Sequence, residues 1–193
     1  MNLAQAQRLR EILLDPVESS AIEIRGSARA AVLVPLHERD GELCVVFTRR
    51  HDDLRQHAGQ ISFPGGREDP ADSDLIATAL RETAEEIGLQ PNAVVLLGAL
   101  SPVSVRVSGF ALYPFVGAIQ RPPQWLPAAS EVEAVIELSV SDLAATYSIQ
   151  TIRRGERSVV TPTFDANGEV LWGATARVLT DLLVRLGLLG HHR

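Results

Sequence analysis

Cysteine is almost missing from this 193-residue chain. With Cys44 alone, no disulfide framework can form within it, and nothing points to an oxidising compartment. Cys44 falls in an apolar, strand-like run and reads as a buried, inert thiol. Also missing is any apolar run approaching the ~20 residues needed to span a membrane. Met1 to Arg10 alternates polar and apolar residues without the apolar core of a signal peptide, so a cytoplasmic location with no membrane partner is expected. Positive charge is in short supply: 18 Lys and Arg stand against 24 Asp and Glu, for a net charge of −6. Such a chain is not expected to bind nucleic acid. Nor can its overall field attract a polyanion, so a phosphate-bearing ligand must be held by local cations. The sequence has no internal repeat or low-complexity tract, and no Ser-His-Asp or Cys-His nucleophile constellation is evident. The terminal His191-His192-Arg193 is too short to read as a metal site.

What is present suits one domain with a proper core: 46% of the residues are hydrophobic. Strands are predicted over Ala30–Leu36 and Leu43–Thr48, joined through the turn-prone Arg39-Asp40-Gly41, and over Val94–Leu100 and Ala111–Ile119. Helices are predicted at Leu3–Leu14 and Gly173–Leu186, with Gly187 as the stop for the second. The Pro-rich stretch Arg121 to Pro127 reads as a loop leading to the acidic Ser130-Glu131-Val132-Glu133 and a further strand. Mixed strands and helices imply an α/β sandwich.

The most informative segment is FPGGREDPADSDLIATALRETAEEIGL, Phe63 to Leu89. Asp72, Ser73 and Asp74 offer N-cap oxygens, the run to Ile87 has no Gly or Pro, and Gly88 stands where a left-handed residue ends a helix. The helix is therefore expected over about Ser73 to Ile87, with Ile76, Ala79, Leu80, Thr83 and Ile87 facing the core. Glu82 and Glu86 are separated by one turn and fall together at the border of that stripe. Two like charges so placed repel, which calls for a positive partner between them; Arg81 projects to a different side from Glu86.

A glutamate-rich helix can be a plain solvated face, but the glycine turn before it favours a metal–phosphate site. Phe63-Pro64-Gly65-Gly66 ends an apolar–polar alternation, and paired glycines let backbone groups approach a ligand where a Cβ would obstruct. Hard divalent cations are held by carboxylates, and such a cation reconciles an acidic site with a polyphosphate. Local positive charge stands just upstream at Arg49, Arg50, His51, Arg55 and His57.

These residues resemble the Nudix hydrolases, whose signature runs Gly, five residues, Glu, seven residues, Arg-Glu-aliphatic-x-Glu-Glu-x-Gly-aliphatic. Arg81 to Leu89 (RETAEEIGL) matches the second half, with Thr83 at the aliphatic position. Counted from Gly66, the early glutamate position is Asp72, and eight residues rather than seven separate it from Arg81. Upstream, Val46-Phe47-Thr48-Arg49-Arg50-His51, Arg55, Gly59 and Phe63-Pro64-Gly65-Gly66 resemble the motif of the coenzyme A pyrophosphatase branch, with His51 in place of a serine.

The resemblance implies a Nudix-like α/β/α sandwich with a mixed β-sheet, residues 1–193 forming one such domain with N- and C-terminal helical extensions. It implies Mg²⁺ or Mn²⁺ as cofactor, held by Glu82, Glu86 and the Gly65 carbonyl. Arg81, Glu82 and Glu85 are then the candidate catalytic residues; Arg81 orients a glutamate, and Glu85 binds a second ion or orients water. Arg50, Arg55 and Phe63 are the candidate substrate-binding residues, and Glu131 or Glu133 could add a carboxylate from the late loop. The implied reaction cleaves the diphosphate of coenzyme A or an acyl-coenzyme A. Alternatives are another nucleoside diphosphate derivative, such as a nucleoside triphosphate, ADP-ribose or a dinucleoside polyphosphate, or a ligand sensor with the same fold, against which the intact glutamate set argues. A homodimer stays open.

Overall fold

The computed structural model describes residues 1, 3–51, 59–105, 109–122, 124–154 and 157–190. Strands β1 (Ala28–Arg39) and β2 (Glu42–Arg50) form a hairpin with Asp40 at φ 54° and Gly41 at φ 83° at its turn. Two successive left-handed residues suit a type I′ turn, for which Asp-Gly is a preferred pair. Along β1, Val32, Val34 and Leu36 pack to one side and Ala31 and Leu33 to the other, the alternation of a strand covered on both faces.

Strand β1 organises an eight-stranded mixed sheet. It pairs antiparallel with the short β4 (Gly65–Arg67) and parallel with β7 (Phe110–Ile119). Strand β2 also carries β3 (Ile61–Ser62) and β8 (Val132–Ser139), while β7 also carries β5 (Val94–Ala99) and β6 (Val103–Val105). Helix α3 (Leu75–Ile87) covers one face, its Leu75, Ala79 and Ile87 clustering with Leu33, Ala111 and Phe115. The opposite face takes α1 (Leu3–Ile12), α4 (Val140–Ala145) and α5 (Gly173–Arg185); Val178, Leu179 and Leu182 of α5 join Val32, Val34 and Phe47. The result is the expected α/β/α sandwich. Among the described residues no helix is long and apolar enough to cross a membrane.

The predicted strands are all present, most of them longer than expected. Helix α1 stops at Ile12 because Leu14 leaves it to exchange two backbone hydrogen bonds with Ala99, each 2.9 Å. Helix α5 ends in a Schellman turn: Gly187 has φ 74°, and Leu188 N–H donates to the Leu183 carbonyl. Several elements escaped the sequence reading. Among them are β6, α4 and α2 (Pro16–Ala21), the last capped by Asp15. Also missed is a second sheet of β9 (Ser148–Arg154), β10 (Arg157–Ala166) and β11 (Glu169–Trp172), whose Phe164 and Leu171 enter the α5 cluster. Strands β9 and β10 are rich in Thr, Ser and Arg, so the apolar alternation that marks a strand is weak, and β11 is only four residues long.

The buried face of α3 is wider than the predicted stripe. Ala79, Thr83 and Ile87 are buried and Ile76 and Leu80 pack half-buried against the same cluster, as expected, but Leu75, Thr78 and Glu86 are buried as well. The buried stripe includes a carboxylate, which apolar periodicity alone cannot anticipate.

The loop between β7 and β8 is fastened by Glu137, whose side chain is 8% exposed. Arg121 Nε donates to both carboxylate oxygens at 2.9 and 2.8 Å, and Trp125 Nε1 donates to one at 2.6 Å. Arg39 Nη1 donates at 3.4 Å, and the buried His37 Nε2 lies at 3.2 Å. Burial by itself would raise the Glu137 pKa, but the Arg121 and Trp125 hydrogen bonds outweigh it and hold the group below its ordinary value. Replacing Glu137 with Gln should lower stability by about 1–3 kcal/mol at neutral pH, since charged hydrogen bonds are lost. A carboxyl with a depressed folded-state pKa stabilises above the ordinary value of about 4.3 and ceases to do so as pH falls through the folded value. Urea titrations at pH 7 and in acid check this: the gap between the two proteins should narrow in acid.

Candidate active site

Helix α3 begins at the N-cap Asp74, whose carboxylate accepts from Ala77 N–H at 2.8 Å, and ends at Gly88 with φ 75°. The helix starts two residues after the expected Ser73, because, of the candidate cap oxygens at Asp72, Ser73 and Asp74, it is the Asp74 carboxylate that makes the cap. The Asp72 carboxylate instead grips Arg81, accepting from Nε at 2.9 Å and Nη2 at 3.0 Å, and also accepts from the Thr78 hydroxyl at 2.8 Å. The Arg81 hydrogen bonds hold Asp72 well below the usual carboxylate range. Fixed from behind, Arg81 uses Nη1 to reach Glu82 at 2.8 Å and Glu85 at 3.4 Å, and Nη2 to reach the Arg67 carbonyl at 3.2 Å. The eight-residue spacing from Asp72 to Arg81 therefore does not separate the two. An acidic residue nine positions before an arginine was the signal available in the sequence.

The glycine turn meets the helix at the sheet edge. Gly65 has φ 149°, and a Cβ there would strike the Ala31 carbonyl and Val32, so a side chain is excluded by backbone and space together. Its N–H donates to Glu86 at 3.1 Å. At Gly66 a Cβ would occupy the position of the Glu82 carboxylate. The two glycines thus make room for the two glutamates.

Glu86 is 5% exposed. Burial drives its pKa up to about 7, against the Gly65 N–H and Arg50, whose Nη1 lies 3.5 Å away; Glu82 and Glu131 add repulsion. Burial raises Glu82 as well, with Arg81 opposing. The positive partner expected between the glutamates is thus divided: Arg50 serves Glu86 and Arg81 serves Glu82. Glu85 is 61% exposed and stands on the solvent side of Arg81. Among the described residues no three His, Cys, Asp or Glu side chains converge as a cation cage; the oxygen donors at the turn are this carboxylate pair and backbone.

Of the late-loop carboxylates, Glu131 comes near the site, 3.9 Å from Arg50 Nη2, and its carbonyl accepts from His51 N–H. Glu133 instead pairs with Arg49 at 3.4 Å. The loop is pinned to the helix, Ala128 N–H donating to the Glu86 carbonyl at 2.9 Å. Phe63 is 3% exposed and stacks on Phe47 with ring centroids 4.8 Å apart. Arg55 lies outside the described residues. Beside the turn opens a cavity of about 620 Å³, lined by Arg50, Phe63, Gly65, Gly66 and Arg67, and also by Trp172 from the second sheet. The sequence carried no signal for Trp172, because only the packing of β11 brings it here.

A Gly66→Ala variant should fold, since Gly66 does not have a positive φ, but it must displace the Glu82 carboxylate. Turnover is expected to drop about 10- to 100-fold, as misplacement by an ångström does elsewhere. Steady-state rates beside an unchanged urea midpoint would check it.

A sequence model of the NUDIX domain matches residues 27–160. Relatives bearing the name "Uncharacterized Nudix hydrolase NudL", from Salmonella paratyphi B and Salmonella enteritidis, are 37% identical over 169 residues, covering 86% of this chain and 86% of theirs. In fold, the chain is similar to a MutT/nudix family protein from Enterococcus faecalis (TM-score 0.56, 14% identity, 100% of this chain and 77% of that one). It is also similar to a NUDIX hydrolase from Alicyclobacillus acidocaldarius (TM-score 0.51, 22% identity, 65% and 83%). With the domain match spanning most of the chain and relatives aligned along nearly their whole length, this chain belongs to the Nudix family and is a Nudix pyrophosphatase.

Proposed function

We propose that this pyrophosphatase, whose substrate is a nucleotide derivative, hydrolyses the diphosphate of coenzyme A or an acyl-coenzyme A to 3′,5′-ADP and (acyl)phosphopantetheine. The observation that carries this reading is the upstream run from Val46 to Gly66, which the helical signature does not require and which supplies arginines beside the glycine turn. Arg50 lines the cavity 3.5 Å from Glu86, whereas its neighbour Arg49 is engaged by Glu133 and Glu169. A guanidinium there suits a phosphate through paired hydrogen bonds. Arg55 is assigned the same kind of role from the motif, and Phe63 forms the cavity wall behind the turn.

The donor chemistry fits Mg²⁺ or Mn²⁺. Glu82 and Glu86 are two desolvated carboxylates one turn apart, Glu86 facing the charge of Glu82 and Glu82 that of Glu85, at a turn cleared of side chains. Such hard oxygen donors, with the Gly65 carbonyl, are the residues that would hold the ion. When bound, the ion neutralises phosphoryl charge and makes water a better nucleophile. The chain's own residues do the rest. Arg81, anchored by Asp72, orients Glu82; Glu85, on the solvent side, orients the attacking water. Water adds to one phosphorus, the bridging P–O bond breaks, and the halves leave as phosphate monoesters.

Purified protein with Mg²⁺ or Mn²⁺ should release 3′,5′-ADP from coenzyme A with higher kcat/KM than it shows for ADP-ribose, nucleoside triphosphates or dinucleoside polyphosphates. Excess chelator should abolish turnover. Glu86→Gln should retain the fold and lose at least ~100-fold in rate, as expected when electrostatic stabilisation of the transition state is removed. A clear preference for ADP-ribose or a free nucleotide would rule out the coenzyme A reading, and wild-type rates in chelator would rule out the metal.

A further inference from the structure

The cavity has two chemically different ends. Its floor follows the sheet from β4 through β1 and β7 to β6, with Arg67 opposite Ala30, Ala30 beside Leu112, and Leu112 opposite Val103. At a strand spacing of about 4.8 Å, Leu112 lies roughly 10 Å across the sheet from β4. The cations among the described lining residues, Arg50 and Arg67, belong to β2 and β4 at the glycine-turn end. Away from it the lining is mostly apolar: Val105, Phe110 and Leu112 of the main sheet with Val170 and Trp172 of β11, the exceptions being Thr175 and Glu169, whose charge is paired with Arg49. Val170 is 54% exposed on the cavity rim, so its side chain is accessible to an apolar group of a bound ligand.

The β11 strand is paired with β10 and anchored by the buried Leu171, and charge adds a further tie. Arg49, next to Arg50 on β2, lies 3.4 Å from Glu133 on β8 and 3.2 Å from Glu169 at the start of β11. One guanidinium therefore ties the second sheet to the edge of the first, directly beside the site.

We propose that Val170 and Trp172 are specificity-determining residues: with Phe110 and Leu112 they form an apolar subsite for the acyl end of the substrate, and Arg49 is the positioning residue that holds them over it. This rests on the coenzyme A reading and orients the substrate within it. A diphosphate at the Gly65–Gly66 turn sends one half of the molecule across the sheet. The ADP half carries a further phosphate, which the described apolar lining would desolvate without a partner. The pantetheine half carries no charge and, in a thioester, ends in hydrocarbon. The apolar end of the cavity takes that half, and a longer acyl chain covers Val170.

The test is kcat/KM for coenzyme A and its acetyl, butanoyl and octanoyl thioesters, measured with wild type, Val170→Asp, Trp172→Ala and Arg49→Gln. In wild type the ratio of octanoyl-coenzyme A to coenzyme A should exceed one and rise with chain length. In Val170→Asp and Trp172→Ala it should fall about tenfold, in the range by which apolar pockets discriminate hydrocarbon. Val170 is exposed, so the Val170→Asp result does not depend on a core substitution being tolerated. Arg49→Gln should lower the same ratio, acting through KM for octanoyl-coenzyme A more than through kcat. Ratios within twofold of wild type in both wall variants, or a wild-type ratio at or below one, would overturn the subsite while coenzyme A hydrolysis stands. If no coenzyme A compound is cleaved but ADP-ribose is, the substrate reading falls and the subsite with it.

Discussion

A single carboxylate governs the arrangement of this site. Glu86 is buried at the edge of the main sheet, and a buried carboxylate must find partners or lose its charge. Its partners are a backbone N–H and one guanidinium: Gly65 from the turn and Arg50 from β2. To bring that N–H within reach, the turn adopts φ 149° against the β1 backbone, which only glycine does at this spacing. The adjacent Gly66 then leaves the volume that Glu82 fills. Helix, turn and strand are thus mutually fixed, and the pair of raised carboxyl pKa values reflects chiefly the desolvation of the two groups, with repulsion from neighbouring carboxylates adding less.

Two supports act on this centre from outside. Asp72 holds Arg81 by a bidentate pair, so that one guanidinium can face Glu82 without folding back into solvent. Glu137 gathers Arg121, Trp125, Arg39 and His37, fastening the loop that continues along the end of α3 to Glu131. That loop is pinned to the Glu86 carbonyl by Ala128, so the far end of the sheet and the site are parts of one hydrogen-bonded path. Every cation in both supports is arginine, and the chain contains no lysine. The forked donors of arginine suit positions where one group must satisfy two acceptors.

The acidic helix was legible because its evidence is local: cap, period and stop lie within sixteen residues from Asp74 to Leu89, and local signals survive without tertiary context. The strands that organise the sheet were legible for the same reason, each being a run with apolar residues on one or both faces. The full width of the buried face of α3 was not. Ile76 and Leu80 do pack against the core, but Thr78 and Glu86 are buried beside them, and the partner that receives Glu86 inside is the Gly65 N–H of a turn on another element. The second sheet was also hidden, because its polar strands become recognisable only when Phe164 and Leu171 meet α5.

The sequence by itself determined the candidate site residues and the family: the glutamate pair one turn apart, the paired glycines and the arginines before them. Their meaning follows from residue type and spacing, which the chain carries wherever it folds. Only tertiary structure decided which partner each charge takes. Arg50 went to Glu86, Arg49 to Glu133 and Glu169, and Asp72 to Arg81, choices set by strand register and by the direction in which each side chain leaves its strand. It also decided that Val170 and Trp172, more than eighty residues beyond the acidic helix, stand across a cavity from the glycine turn. No local pattern encodes that distance, because it arises from two sheets packing through a shared helix.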